Sequence, residues 1–218
     1  MRAKKFLMYT IVICLVLFFQ MHDIRADEYT SAEKLNIIGV LIGPGTGISE
    51  EYLARPATRI DGAILMLKLK GLISEAENYS GTENFVDADE ALSEYTRRIM
   101  GYLKANPSLG YVGYLDRFDP NSVITDQMFY KVLLTLLGYD QGSDFEWSET
   151  LVMAWLVGMD KISGRGELTV NDLAVAIVEA LDSEIKETGV LFIQQLVNDD
   201  VLDISLVRSA GWAYVSAE

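Results

Sequence analysis

The residue types that carry acid–base, nucleophilic or metal chemistry are thinly supplied in this sequence. Its only histidine, His22, and its only cysteine, Cys14, both fall within the first 26 residues. Beyond them there is no imidazole or thiolate to hold zinc, copper or iron, and no Ser-His-Asp or Cys-His arrangement can form. What remains is carboxylates, 32 Asp and Glu in 218 residues. A facing pair could serve a glycosidase, but in so acidic a chain some pair always lies close, and no segment stands out. Asp116, Asp119 and Asn121, or Asp140 and Asp144, do not meet the spacing of a calcium loop. Asp199, Asp200 and Asp203 read as a solvated acidic patch. Gly43-Pro44-Gly45-Thr46-Gly47 lacks the Gly-Lys-Ser/Thr ending of a phosphate loop, and Glu50 and Glu51 follow it, so it reads as a turn. The expectation is a protein that binds and does not catalyse, with no cofactor and no metal.

Charge narrows the partners. The formal net charge is −14, and no basic stripe interrupts it, which excludes nucleic-acid phosphates as a partner. Half of the residues are apolar, so the chain can bury a core.

The first residues carry Arg2, Lys4 and Lys5, an apolar run from Phe6 to Phe19, then Gln20, His22, Asp23 and Arg25. This is the layout of a secretory signal peptide with cleavage after Ala26. The run is short for a membrane span of about 20 residues, so a membrane is met only through the signal peptide if it is uncleaved. Removing residues 1–26 takes out four cations and one acid, which makes the remainder more acidic still.

Helical spacing recurs over 30–42, 58–72, 89–105, 125–138, 147–159, 169–186 and 188–202, with a short turn at 74–79. Three of these segments look like copies. Thr58, Thr125 and Thr169 each open one, and each is apolar at its eighth, ninth, tenth and twelfth places. A threonine N-cap accepts a bond from an orphan first-turn N–H, and an acid three residues on can return one. Thr58 with Asp61 and Thr169 with Asp172 fit that box; Thr125 with Met128 does not, although Asp126 still suits the positive helix end. Gly71 and Gly138 stand where a helix C-cap is expected. Ahead of each copy lie another helix and a glycine-containing loop. Three such helix–loop–helix units, roughly 30–80, 85–140 and 145–203, predict stacked or pseudo-symmetric units that bury their apolar faces on one another. Trp155, among Met153, Leu156 and Met159, is read as core by its spacing. Residues 204–218 form a C-terminal tail that either packs back or docks a partner.

The arrangement resembles S-layer homology domains, the repeats that tether surface proteins to bacterial walls. The residues that carry the likeness are Gly39-Val40-Leu41-Ile42-Gly43 for a turn and Phe85-Val86-Asp87 ahead of a helix. Phe118-Asp119-Pro120-Asn121 with Val123-Ile124-Thr125 matches a loop and helix start, Leu136-Leu137-Gly138 a helix exit, and Ala57-Thr58-Arg59-Ile60-Asp61 a Thr-Arg-Ala-Glu motif. The likeness spans about residues 30 to 203. It implies an all-α, pseudo-threefold bundle (27–203) after the signal peptide, whose grooves hold an acidic, pyruvylated secondary cell-wall polysaccharide. A ketal carboxylate needs a cation, ideally an arginine, and sugar faces need aromatic walls. The candidate ligand-binding residues are then Arg59, Asp87, Arg117, Trp147 and Gly43. The sequence departs from the pattern at the motif arginine, which is Asp126 in the second unit and Val170 in the third; only the groove near Arg59 is chemically equipped. The resemblance implies secretion to the cell surface of a Gram-positive-type bacterium, with wall polysaccharide or another envelope protein as partner. The alternative is a protein–protein interaction module that has lost the polysaccharide site.

Overall fold

Strongly apolar segments with threonine or serine ahead of them dictate short capped helices. The computed structural model, which describes residues 29–45 and 47–216, has ten α-helices, six of them with a threonine or serine at the N-cap, and no strand longer than an isolated bridge among those residues. The protein is all-α. The expected signal peptide, residues 1–26, lies outside the described residues. The helices are α1 (Ser31–Ile37), α2 (Glu50–Ala54), α3 (Arg59–Leu69), α4 (Ile73–Glu77), α5 (Glu94–Ala105), α6 (Asp126–Leu136), α7 (Thr150–Leu156), α8 (Val170–Leu181), α9 (Phe192–Asn198) and α10 (Ile204–Ser209).

The three threonines cap α3, α6 and α8. At α8 the Thr169 hydroxyl accepts from the Asp172 amide at 3.2 Å, and the Asp172 carboxylate accepts from the Thr169 amide at 2.9 Å. At α3 the Asp61 carboxylate accepts from the Thr58 amide and hydroxyl at 2.8 and 2.7 Å. At α6, where the third residue is Met128, Thr125 still accepts the Met128 amide at 3.3 Å. Gly71 and Gly138 follow α3 and α6 at φ 69° and 87°, the left-handed conformation that closes a helix without a Cβ clash.

The residues just before these threonines join the three starts in a closed ring. The Ala57 amide donates to the Leu168 carbonyl at 2.8 Å, Leu168 to Ile124 at 3.0 Å, and Ile124 back to Ala57 at 2.9 Å. A second ring lies outside it: Arg59 donates to the Ser122 carbonyl at 2.9 Å, Asp126 to Gly166 at 2.9 Å, and Val170 to Arg55 at 3.1 Å. First-turn amides have no partner inside their own helix. Here each finds a carbonyl on a neighbouring segment, so buried backbone is satisfied without a sheet.

Around this ring α8 is the most enclosed helix, with α1, α2, α6 and α9 packed against it. Its residues Val170, Leu173, Ala174, Ala176, Ile177, Ala180 and Leu181 are all buried, as expected of a helix that is apolar nearly all round. A second, smaller core gathers Met66, Leu67, Phe85, Ile99, Met100, Leu103 and Phe118 between α3, α4 and α5. The helix ahead of each threonine-capped helix packs elsewhere: α1 on α8, α5 on α3 and α4, and α7 on α6.

Several expected helices are shorter than their spacing implies: that over 30–42 ends at Ile37, and that over 188–202 covers only Phe192–Asn198. The helix expected over 147–159 is only α7, preceded by a 3-10 turn at Trp147–Glu149. Its Trp155 is 62% exposed, beside Val152 and Leu156 at 59% and 64%, so Trp155 is not core. The reason is that α7 carries apolar residues on both sides. It packs through Thr150 and Ala154, and spacing alone cannot choose between two apolar stripes. The tail, in turn, packs back. Residues 204–209 form α10 against α1, and Trp212 is buried, with its indole N–H donating to the Asp182 carboxylate at 2.7 Å.

Candidate functional site

Arg59 is the first residue of α3, so the outer ring fixes its backbone. Its guanidinium lies 5.4 Å from the centre of the Phe118 ring, within cation–π range. Phe118 is held in an aromatic stack, 5.8 Å from Tyr111 and 5.4 Å from Phe85 between ring centres. Gly62 makes room for this stack: a Cβ there would stand 2.9 Å from the Ile124 side chain and 3.2 Å from the Tyr111 hydroxyl.

Arg59 borders a cleft of about 210 Å³, shared with Gly110, Tyr111, Met128, Lys131, Gln141 and Trp147 among others. Two cations and no carboxylate line it, in a chain of net charge −14. Among the described residues the Arg59 guanidinium has no carboxylate or hydrogen-bond partner, and its Nε–H is buried without one. The Tyr111 hydroxyl is likewise buried and unpartnered, and burial pushes its phenol well above the usual tyrosine value despite the Arg59 charge. A buried donor without an acceptor costs about 1–3 kcal/mol, so each of these groups gains when an acceptor arrives. Lys131 donates to the Gly110 carbonyl at 3.2 Å, which uses one of its three N–H groups. Burial holds its ammonium below the ordinary lysine value, while Asp140 acts in the other direction.

Trp147 forms one wall of the same cleft and is 41% exposed. Its carbonyl accepts from the Gln127 side-chain Nε2–H and the Thr150 hydroxyl at 2.6 and 2.7 Å, which fixes its backbone. Arg59 and Trp147 are therefore brought together; Asp87, Arg117 and Gly43 do not line this cleft. Asp87 is buried and pins the loop that carries Phe118, accepting the Phe118 and Asp119 amides at 2.9 and 2.7 Å. Arg117 is occupied by acids: Glu90 at 2.8 Å, Asp119 at 3.3 Å and Asp87 at 3.9 Å. Gly43 sits in the loop before α2, where an added Cβ would collide with the Gly47 carbonyl. Its role there is close backbone approach.

The positions that match Arg59 on the other two helices behave differently. Asp126 is buried, and its carboxylate accepts the Gln127 and Gly164 amides at 2.7 Å each, so an acid occupies that place. Val170 is buried in a second cleft, of about 370 Å³, between α3 and α8. The arginine there, Arg55, is spent on a bidentate bond to Asp61 at 2.8 Å on each arm. Lys131, Tyr111 and Gln141 were not legible as site residues from motif spacing. One signal did exist for Lys131: it is the only charged residue in the mostly apolar run Met128–Leu136, three residues after Met128 on the same helix face.

Comparison with protein-family models, with curated proteins and with solved structures returns no match for this chain.

Proposed function

We propose that this protein is an exported, non-catalytic binding module whose Arg59 cleft takes the carboxylate of an acidic envelope polysaccharide. The observation that carries the reading is a guanidinium with no carboxylate or hydrogen-bond partner among the described residues, in a cleft with a second cation, a tryptophan wall and no acid. A fork of N–H donors suits a carboxylate, and Trp147 offers a face for a sugar ring. The pseudo-threefold kinship of units 30–80, 85–140 and 145–203, with the S-layer-homology likeness it brings, is part of the same proposal. Two cyclic sets of hydrogen bonds among equivalent residues of the three units support it. With Asp126 and Val170 in place of the arginine, one groove of three binds.

The second reading is a protein-interaction module, and the exposed stripe of Val152, Trp155 and Leu156 on α7 favours it. Both readings place the protein at the cell surface, with wall polysaccharide or an envelope protein as partner.

The test is retention of the protein, without residues 1–26, on purified cell-wall sacculi. Retention at low salt that weakens about tenfold or more in Arg59→Ala, as expected for a lost charge-assisted bond, supports the polysaccharide reading. Absence of retention at low salt sinks it. Retention lost in Trp155→Ser but intact in Arg59→Ala moves the site to α7.

A further inference from the structure

A third cleft lies between the segment after α4 and the start of α5, and shares no lining residue with the Arg59 cleft. Its volume is about 410 Å³, and it is lined by Asn78, Tyr79, Ser80, Gly81, Asn84, Glu94, Arg97 and Arg98. Almost every lining side chain is polar, in contrast to the Arg59 cleft.

The segment after α4 is held over α5 by two features. Asn84 donates to the Arg97 carbonyl at 2.9 Å and accepts from the Phe85 amide at 2.9 Å. Tyr79 is seated by glycines: a Cβ on Gly101 would stand 2.8 Å from its ring and 3.0 Å from the Glu83 carbonyl, and a Cβ on Gly81 would collide with its hydroxyl. Gly101 is mid-helix, where glycine costs about 1 kcal/mol relative to alanine; the seat of Tyr79 offsets that cost. The cleft is thus a constructed feature of the fold.

Its cations are loosely held. Among the described residues the Arg97 guanidinium reaches one carboxylate, Asp89 at 3.4 Å, which is 96% exposed. The Arg97 Nε–H is buried with no partner. Arg98 meets Glu94 at 3.4 Å and the Glu77 carbonyl at 3.4 Å, both long for charge-assisted bonds. Exposed pairs of this kind contribute about 0–1 kcal/mol, so an incoming carboxylate can replace them at little cost. Ser80 and Tyr79 add hydroxyls, Asn78 an amide oxygen and Glu94 an acceptor, which is the mixed inventory a polyhydroxylated ring requires.

We infer that this cleft is a second ligand site that takes a carboxylate-bearing sugar of the uronic-acid class. Arg97 and Arg98 bind the carboxylate, and Ser80, Tyr79 and Glu94 bind ring hydroxyls. The site is independent of the Arg59 reading and stands or falls without it.

The test is titration of the protein without residues 1–26 with D-glucuronate, and separately with D-glucose, followed by calorimetry or amide chemical shifts. Glucuronate is expected to bind with shifts at residues 78–84 and 94–98, and glucose to bind at least tenfold more weakly. Arg97→Gln with Arg98→Gln is expected to weaken glucuronate at least tenfold, with Arg59→Ala leaving it unchanged. Ser80→Trp, at an exposed loop position, fills the cleft without touching either arginine and should also abolish binding. The inference is overturned by no glucuronate binding at millimolar concentration, by equal binding of glucose, by binding that survives either the Arg97/Arg98 or the Ser80 change, or by binding that is lost in Arg59→Ala.

Discussion

The Tyr130 hydroxyl donates to the Glu179 carboxylate at 2.8 Å, joining α6 to α8 inside the core. The same hydroxyl accepts the Ile162 amide at 3.2 Å, and the other Glu179 oxygen accepts the Asp160 and Lys161 amides at 2.9 and 2.8 Å. Two buried side chains thereby tie the 159–162 turn to both helices. Glu179 is 4% exposed and has all its bonds from neutral donors.

Tyr130→Phe removes the hydroxyl and leaves the carboxylate short of a donor, so a loss of about 1–3 kcal/mol is expected. Glu179→Gln, which keeps the shape, should couple to it. A double-mutant cycle from urea denaturation checks both; strictly additive losses would show that the pair does not act as a unit.

The inner ring predicts a sensitive point. Leu168 is buried and sends its amide to Ile124. Leu168→Ala should cost about 2–5 kcal/mol through the cavity it opens beneath the ring. The urea midpoint measures it, and a loss below 1 kcal/mol would contradict the packing described.

Trp155 and Trp212 should part company. Trp212 is 2% exposed and Trp155 62%. Trp212→Ala is expected to cost about 3–5 kcal/mol, whereas Trp155→Ser should stay within about 0.5 kcal/mol. Thermal denaturation of the two variants decides; the reverse order would restore Trp155 to the core.

Acid should destabilise the fold through two aspartates. At Asp87 burial alone would raise the carboxyl, but the Phe118 and Asp119 amides, with Arg117, hold it below the ordinary value of 3.8. At Asp61 burial is likewise outweighed by Arg55 and by the Thr58 amide and hydroxyl. A folded value below the unfolded one means that unfolding takes up protons on acidification. The stability these groups contribute is present above the unfolded value and is lost as pH falls through the folded values. Urea midpoints between pH 7 and pH 2 should drop below about pH 4, and Asp87→Asn should flatten part of that slope. An unchanged slope in that variant would remove Asp87 from the account.

Gly101→Ala reverses the usual sign. An exposed mid-helix Gly→Ala gains about 1 kcal/mol, but here the Cβ meets the Tyr79 ring and the Glu83 carbonyl. A lower melting temperature is expected, and a rise would mean that the 79–84 segment moves aside freely.

Much of the chain was legible. Thr58, Thr125 and Thr169 announced three capped helices, because the orphan N–H groups of a first turn need a local acceptor whatever the surroundings. Arg59 and Trp147 were legible as candidate residues from the S-layer-homology resemblance, and the structure places both on one cleft. Asp87 was legible as a motif residue, but its work is to pin the Phe118 loop. Arg117 has a charge like that of Arg59, yet neighbours 27 residues away and nearer in sequence absorb it.

The sequence by itself determined the helical class, the threonine caps, the acidic surface and, beyond residue 26, the lack of imidazole and thiol. All of these follow from residue type and local spacing. The tertiary structure alone decided which apolar stripe of α7 is covered, that Arg59 meets no carboxylate among the described residues, and that Lys131 and Tyr111 join it in one cleft. Those outcomes depend on which segments pack together, and packing is settled by contacts between residues far apart in the chain. The amide of Ala57 reaching the carbonyl of Leu168 is such a contact, and no local pattern encodes it.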